Sequence, residues 1–256
     1  MKLLFLDAPY DGEVKICKET LNYLKKKDYK TVGLYASVQF CNNLDQVRTQ
    51  LNKANIKLIT SKAKRTHSEG QILGCDSYHN SLNLSDKELE EIDCYLYVGD
   101  GRFHPLALVY GQKDLVKKDF KEVVCNDPID NKLFLVDFDS VKVITIKYKS
   151  SLIKFLTADN IGIINTVKPG QEQLLTSYAL EERYPDKNFY HFLDDNVSFD
   201  QLENFPFIEV WVNTACPRIG FDDQEKFSRG IINVNDAINA VEFLAKMPSK
   251  KKMIIR

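Results

Sequence analysis

The sequence predicts an α/β protein of two tandem domains, each a parallel sheet with helices on both faces. Short apolar runs rich in β-branched and aromatic residues recur along the chain, as at Thr31–Val38, Cys94–Val98, Ile161–Asn165 and Phe207–Val212. Between them, apolar residues return at helical spacing, as Leu44, Val47, Leu51 and Ala54 do. The two kinds of segment alternate from end to end. That alternation implies parallel sheets, because a parallel connection needs a crossover and a helix supplies it. A length of 256 residues suits one large or two modest domains.

In order, Lys2–Leu6 reads as a first strand; its run Leu3-Leu4-Phe5-Leu6 is too short for the apolar region of a signal peptide. Cys17–Lys27 reads as a helix, with Leu21, Tyr23 and Leu24 as its apolar residues. Strands are expected at Thr31–Val38 and Ile56–Thr60, with a helix between them. Ser85-Asp86-Lys87-Glu88 has the pattern of a capping box, opening a helix to Ile92. Cys94–Val98 reads as a buried strand, and Pro105 starts a helix through Tyr110. Strands follow at Glu122–Cys125, Leu133–Val136 and Val141–Ile146.

A second unit begins near Lys149, so the predicted domains are 1–147 and 148–256. It opens with a helix over Ser151–Ala158 and a strand over Ile161–Asn165. Gly170–Arg183 is expected to be a helix that buries Leu174, Leu175, Tyr178 and Leu180. A strand at Phe189–Leu193, a short helix at Asp200–Asn204 and a strand at Phe207–Val212 follow. Asn235–Ala245 closes as a helix, with Ala237, Ile238, Val241 and Leu244 on one side. Lys250–Lys252 and Arg256 read as a solvated tail.

Composition narrows the function class. The chain is 44% hydrophobic and 28% charged, as in an ordinary soluble globular protein. A net charge of -1 gives no global pull toward nucleic acid or a membrane surface. No stretch approaches the ~18 apolar residues of a membrane span. We therefore expect a cytoplasmic protein with reduced thiols, no membrane association and no direct nucleic-acid binding.

The six cysteines, at 17, 41, 75, 94, 125 and 216, form no CxxC pair, which argues against a zinc ribbon or a thioredoxin motif. Cys94 and Cys125 lie in apolar strand runs and Cys17 opens a helix, so all three read as packing residues. Cys75 and Cys216 sit in different frames, Gly70-Gln71-Ile72-Leu73-Gly74-Cys75-Asp76 and Asn213-Thr214-Ala215-Cys216-Pro217-Arg218. A packing cysteine needs neither glycines before it nor Pro-Arg after it. Both frames read as loops that hold a thiolate accessible, as an iron–sulfur ligand or a reactive thiol must be held.

Ligands of open parallel sheets bind beyond the carboxyl ends of the strands. The segments expected there are Cys41, the Cys75 loop, Gly99-Asp100-Gly101-Arg102-Phe103-His104-Pro105, Lys168-Pro169-Gly170-Gln171 and the Cys216 loop. Each has a bland alternative. Gly99-Asp100-Gly101 is a tight turn or a close backbone approach, and it is not GxGxxG. Arg102, Arg218 and Lys168 are either solvated or hold a carboxylate. His104 is either a loop histidine or part of the site. His67, His79 and His191 have no metal-like spacing. Asp222-Asp223 reads as acid at a helix N-terminus.

Four of these motifs, in this order, resemble the diphthamide synthase family: Gly-Gln-Ile-Leu-Gly-Cys at 70–75, Gly-Asp-Gly-Arg-Phe-His at 99–104, Lys-Pro-Gly-Gln at 168–171 and Ala-Cys-Pro-Arg at 215–218. Asp11-Gly12-Glu13 and Ser37-Val38-Gln39-Phe40 also look like family segments, so the resemblance covers essentially the whole chain. It implies α/β domains that each give one cysteine to a 4Fe–4S cluster, whose open iron binds S-adenosylmethionine. It further implies radical transfer of a 3-amino-3-carboxypropyl group to a histidine of translation elongation factor 2. An electron donor and a homodimer or a heterodimer with a homologue are implied as partners.

By motif, Cys75 and Cys216 match family cluster ligands. Gly101, Arg102, His104, Lys168, Gly170, Gln171 and Arg218 are the residues expected around S-adenosylmethionine. The chain starts where the family's middle domain begins, so one thiolate of the expected three is unaccounted for. Either Cys41 supplies it, or a partner chain does, or the chain is a noncatalytic subunit that completes or reduces the cluster of a catalytic homologue.

Overall fold

The computed structural model describes residues 8–113, 115, 119–168, 171 and 173–246. The expected first strand Lys2–Leu6, Gly170 and the basic tail lie outside the described residues. The chain divides into two units, one formed by 1–112 with 118–140 and the other by 113–117 with 141–256.

The first unit holds β1 (Thr31–Ala36), β2 (Lys57–Ile59), β3 (Cys94–Val98), β4 (Val123–Asp127) and β5 (Lys132–Val136). They form one sheet in the order β2-β1-β3-β4-β5. The first four run parallel, and β1 and β3 are buried along their whole length, as strands covered on both faces must be. β5 departs from the parallel expectation and pairs antiparallel with β4, Val124 opposite Leu135. The reason is the turn between them. Asp127 Oδ1 accepts from the N–H groups of Ile129 and Asp130, and Asn131 takes φ 53°. An Asx turn ending in a left-handed Asn reverses the chain too quickly for a crossover.

The second unit holds β6 (Asn160–Asn165), β7 (Asn188–Leu193), β8 (Val210–Asn213) and β9 (Ile231–Asn233). They form an all-parallel sheet in the order β7-β6-β8-β9. Numbered from its own first strand, this order is 2-1-3-4, and the first four strands of the first unit repeat it. In each sheet the connections diverge between the first and third strands, β1 and β3 or β6 and β8. Such a divergence opens a crevice at the strands' carboxyl ends.

Three further expectations need correction. Val141–Ile146 is not a strand but part of the helix Phe138–Thr157. Phe138, Val141, Thr145, Tyr148, Ser151, Leu152 and Phe155 are buried along it, a spacing only a helix can present to one side. β-branched content suggested a strand, and tertiary burial overrode it. Secondly, the helix Leu174–Arg183 buries Ser177 and Leu180, whereas Leu175 and Tyr178 face solvent. Likewise Asn235–Ala245 is two helices, Val234–Ile238 and Ala240–Lys246, and Val241 is exposed. The capping box at Ser85 and Glu88 and the proline-started helix Pro105–Tyr110 form as expected.

Candidate functional site

In the first unit, the loop bearing Cys75 is stitched to the end of β1. The Ala36 N–H donates to Gly70 O at 2.7 Å, and the Ile72 N–H donates to Ala36 O at 3.0 Å. Gly70 permits this by taking φ +75°, in the left-handed region. Leu73 N–H donates to the Asp76 carboxylate at 2.9 Å and Asp76 N–H to Leu73 O at 3.0 Å, so the Cys75 turn is closed from both sides. Asp76 is buried, and burial raises its carboxyl above the usual range against the lowering effect of the Leu73 N–H. Cys75 is half-buried.

The loop after β3 meets the Cys75 loop. A Cβ on Gly74 would strike the Phe103 ring, so the glycine is what lets that ring pack down. Phe103 is nevertheless 51% exposed, and the His104 ring stands edge-on to it at 5.4 Å between centroids. Gly101 takes φ +65° with open space where a Cβ would be. The exposed Arg102 guanidinium lies 5.7 Å from the centre of the Phe134 ring. Cys41 ends the short helix Val38–Cys41 that follows β1. It is only 7% exposed, belongs to the hydrophobic cluster with Phe40 and Leu44, and its thiol donates to Val38 O at 3.3 Å.

In the second unit, Cys216 is the N-cap of the helix Pro217–Asp222 and is half-buried. Arg218 is buried and pairs with Asp222 one turn on. Asp222 thus closes its helix rather than starting one, whereas Asp223 is the N-cap of the 3-10 helix Gln224–Lys226, so the expected acid at a helix N-terminus holds for Asp223 alone. Lys168 and Gln171 form a turn after β6, with Gln171 N–H donating to Lys168 O at 3.0 Å. The Lys168 ammonium is exposed and donates to Asn196 Oδ1 at 2.9 Å. Cys17, Cys94 and Cys125 are buried packing residues, and burial raises the thiols of Cys94 and Cys125 far above their ordinary range.

Four buried asparagines stand at or one residue before the ends of strands: Asn126, Asn165, Asn213 and Asn233. Each fastens a neighbouring segment. Asn126 Oδ1 accepts from Cys17 N–H at 2.8 Å, and Asn165 Oδ1 accepts from the Thr214 hydroxyl at 3.1 Å. Asn213 and Asn233 hold the Cys216 loop. The signal was present, since each is the polar residue closing an apolar run.

Among the described residues no three His, Cys, Asp or Glu side chains converge on a single metal position. A 4Fe–4S cluster does not need that convergence, because its thiolates bind different irons. The donor chemistry fits at two places: Cys75 and Cys216 each sit on a braced loop at the carboxyl end of a sheet, partly open to solvent.

A family model described as "Putative diphthamide synthesis protein" matches residues 1–250. The chain belongs to the diphthamide synthesis family. One relative in this family, 2-(3-amino-3-carboxypropyl)histidine synthase subunit 1 of Schizosaccharomyces pombe, is 26% identical over 199 residues, covering 75% of this chain and 42% of that protein. The 2-(3-amino-3-carboxypropyl)histidine synthase of Pyrococcus horikoshii is 24% identical over 222 residues, covering 86% of this chain and 59% of its own. A crystal structure of Dph2 from Pyrococcus horikoshii with a 4Fe-4S cluster shares the fold, with a TM-score of 0.65 and 22% identity over 88% of this chain and 61% of that one. The chain thus spans about half the length of the diphthamide synthesis relatives it matches. Among the described residues no helix is long and apolar enough to cross a membrane.

Proposed function

We propose that this chain takes part in the first step of diphthamide synthesis in the cytoplasm. The reaction is 4Fe–4S- and S-adenosylmethionine-dependent transfer of a 3-amino-3-carboxypropyl group to a histidine of translation elongation factor 2, by a radical route. The observation that carries this reading is the pair of half-buried thiols, Cys75 and Cys216, on braced loops at the carboxyl ends of two like-ordered sheets. When bound, the cluster supplies the electron that cleaves the S-adenosylmethionine; an electron donor restores it.

The chain's own residues take the binding roles. Cys75 and Cys216 hold iron as thiolates. Gly101 leaves room for close approach, Arg102 supplies an exposed guanidinium suited to the methionine carboxylate, and His104 keeps Phe103 in place. Lys168 and Gln171 form a polar turn in the second unit, and they and Gly170 are assigned to S-adenosylmethionine binding by the motif they share. Arg218 is committed to Asp222 and acts by fixing the helix behind Cys216.

The third thiolate comes from Cys41 or from a partner chain, a second copy or a homologue. The burial of Cys41 and its bond to Val38 O favour the partner. The same observation supports a second reading, in which the chain is a supporting subunit that completes the cluster of a catalytic homologue.

Anaerobic reconstitution tests both. About four irons and four sulfides per site are expected when the three thiolates are available. Cys75→Ala and Cys216→Ala should each abolish stable cluster, whereas Cys41→Ala should leave it intact if a partner supplies the ligand. Iron retained in Cys75→Ala and Cys216→Ala would remove the reading altogether. Separately, Arg102→Ala is expected to weaken S-adenosylmethionine binding about tenfold or more, the loss of a charge-assisted pair. Unchanged affinity by equilibrium dialysis takes Arg102 out of that role.

A further inference from the structure

β8 and β9 end in register on two asparagines, Asn213 opposite Asn233. Both are completely shielded from solvent, and their side chains bond to each other, Asn213 Nδ2 donating to Asn233 Oδ1 at 2.7 Å. From this pair every remaining amide function turns to the Cys216 loop. Asn213 Nδ2 also donates to Cys216 O at 2.9 Å, and Asn213 Oδ1 accepts from Ala215 N–H at 3.1 Å. Asn233 Nδ2 donates to Pro217 O at 3.0 Å. The residue before the thiol, the thiol's own carbonyl and the residue after it are thus all held by two side chains.

The pair is itself held from behind. The Asn233 N–H donates to the Tyr148 hydroxyl at 2.8 Å, which donates to Asp236 Oδ2 at 2.5 Å. Asp236 faces the buried ammonium of Lys113 at 3.9 Å. On the helix side there is no slack, since a Cβ on Gly220 would collide with the Asn233 amide. A satisfied polar network of this kind specifies one geometry, and outer-shell groups orient the ligands they support.

We infer that Asn213 and Asn233 are positioning residues that fix the Cys216 loop and so set the direction and access of its thiol. The relevance of this to iron rests on the reading of Cys216 as a ligand; the brace itself does not, and the two fail separately. The test reads thiol reactivity in the unloaded chain. Alkylation by iodoacetamide is followed at Cys216 and at Cys75 by peptide mass spectrometry, so Cys75, in the other unit, is the internal reference.

In Asn213→Ala and in Asn233→Ala, the Cys216 rate is expected to rise about tenfold relative to Cys75, as when two or more ordinary hydrogen bonds are lost. Asn213→Ser, whose hydroxyl can still accept from Ala215 N–H, is expected to recover part of that change. A Cys216 rate within about twofold of the parent in folded Asn213→Ala overturns the inference, on the same scale of hydrogen-bond strength. If these variants do not fold, the unaltered chain decides: the Ala215 amide should exchange as slowly as that of Val212, and exchange at open-loop rates overturns it. Loss of cluster on Cys216→Ala with no change in these rates would leave the ligand reading intact and remove only the brace.

Discussion

Above about pH 10, where free tyrosine ionises, the N-terminal unit is expected to unfold cooperatively. Its central strands bury Tyr35, Tyr95, Tyr97, Cys94 and Cys125 almost completely. Burial raises the pKa of every one, that of Tyr35 to about 12 and those of the others further. The direction of the effect follows from proton counting. The folded state keeps these protons at pH values where the unfolded chain releases them, so stability is complete below the unfolded values. It falls as pH climbs from about 9 for the thiols and 10 for the phenols toward the folded values.

Each retained proton costs about 1.4 kcal/mol per pH unit in that window. Five together would cost about 7 kcal/mol per unit, enough to exhaust the 5–15 kcal/mol of a typical domain within about two units. The part of the tyrosinate absorbance that belongs to the three buried phenols should therefore appear in one steep step, together with the loss of far-ultraviolet circular dichroism. Gradual ionisation of every tyrosine with unchanged dichroism would contradict the burial of these phenols.

Asp236→Ala is expected to destabilise the C-terminal unit by about 3–5 kcal/mol, the cost of breaking a buried ion pair from one side. The Lys113 ammonium would remain enclosed, with the Phe221 and Phe243 rings at 5.3 and 5.1 Å from it. Ring faces attract a cation, but they replace a carboxylate only weakly. The Tyr148 hydroxyl would lose the Asp236 carboxylate in the same step. Urea unfolding followed by the fluorescence of Trp211, the single tryptophan of the chain and a residue of β8, reads this unit directly. The double variant Lys113→Met/Asp236→Ala should recover much of the loss, because a buried ammonium that has lost this carboxylate is costly. Equal destabilisation in the single and double variants would show that packing, not charge, sets the effect.

Much of the fold was legible because strand signals here are unbroken apolar runs, which only buried parallel strands require. Sequence and structure part where two signals conflict. In Val141–Ile146 the residue types suit a strand, while the burial period that settles the matter extends beyond that window to Phe155. Leu175 and Tyr178 were assigned inward by their hydrophobicity alone, yet both face outward.

The local form of the candidate site was legible in part. The frames of Cys75 and Cys216 announce braced loops because glycine, proline and arginine have no packing reason to surround a core thiol. Cys41 has no such frame, and it is the one of the three that is buried. Asn213 and Asn233 were passed over because their role arises from strand register. Twenty residues separate them in sequence, and only the sheet brings them side by side.

The strand-ending asparagines also bear on how the protein ages. Amides are among the groups that heat damages chemically, which is why they are thinned out in proteins adapted to high temperature. Hydrolysis at Asn213 or Asn233 would remove a donor from a backbone carbonyl and leave a carboxylate in a fully shielded position. Neither change is repaired by refolding. Covalent damage at either side chain would therefore unfasten the Cys216 loop even in a chain whose helices and sheets still stand.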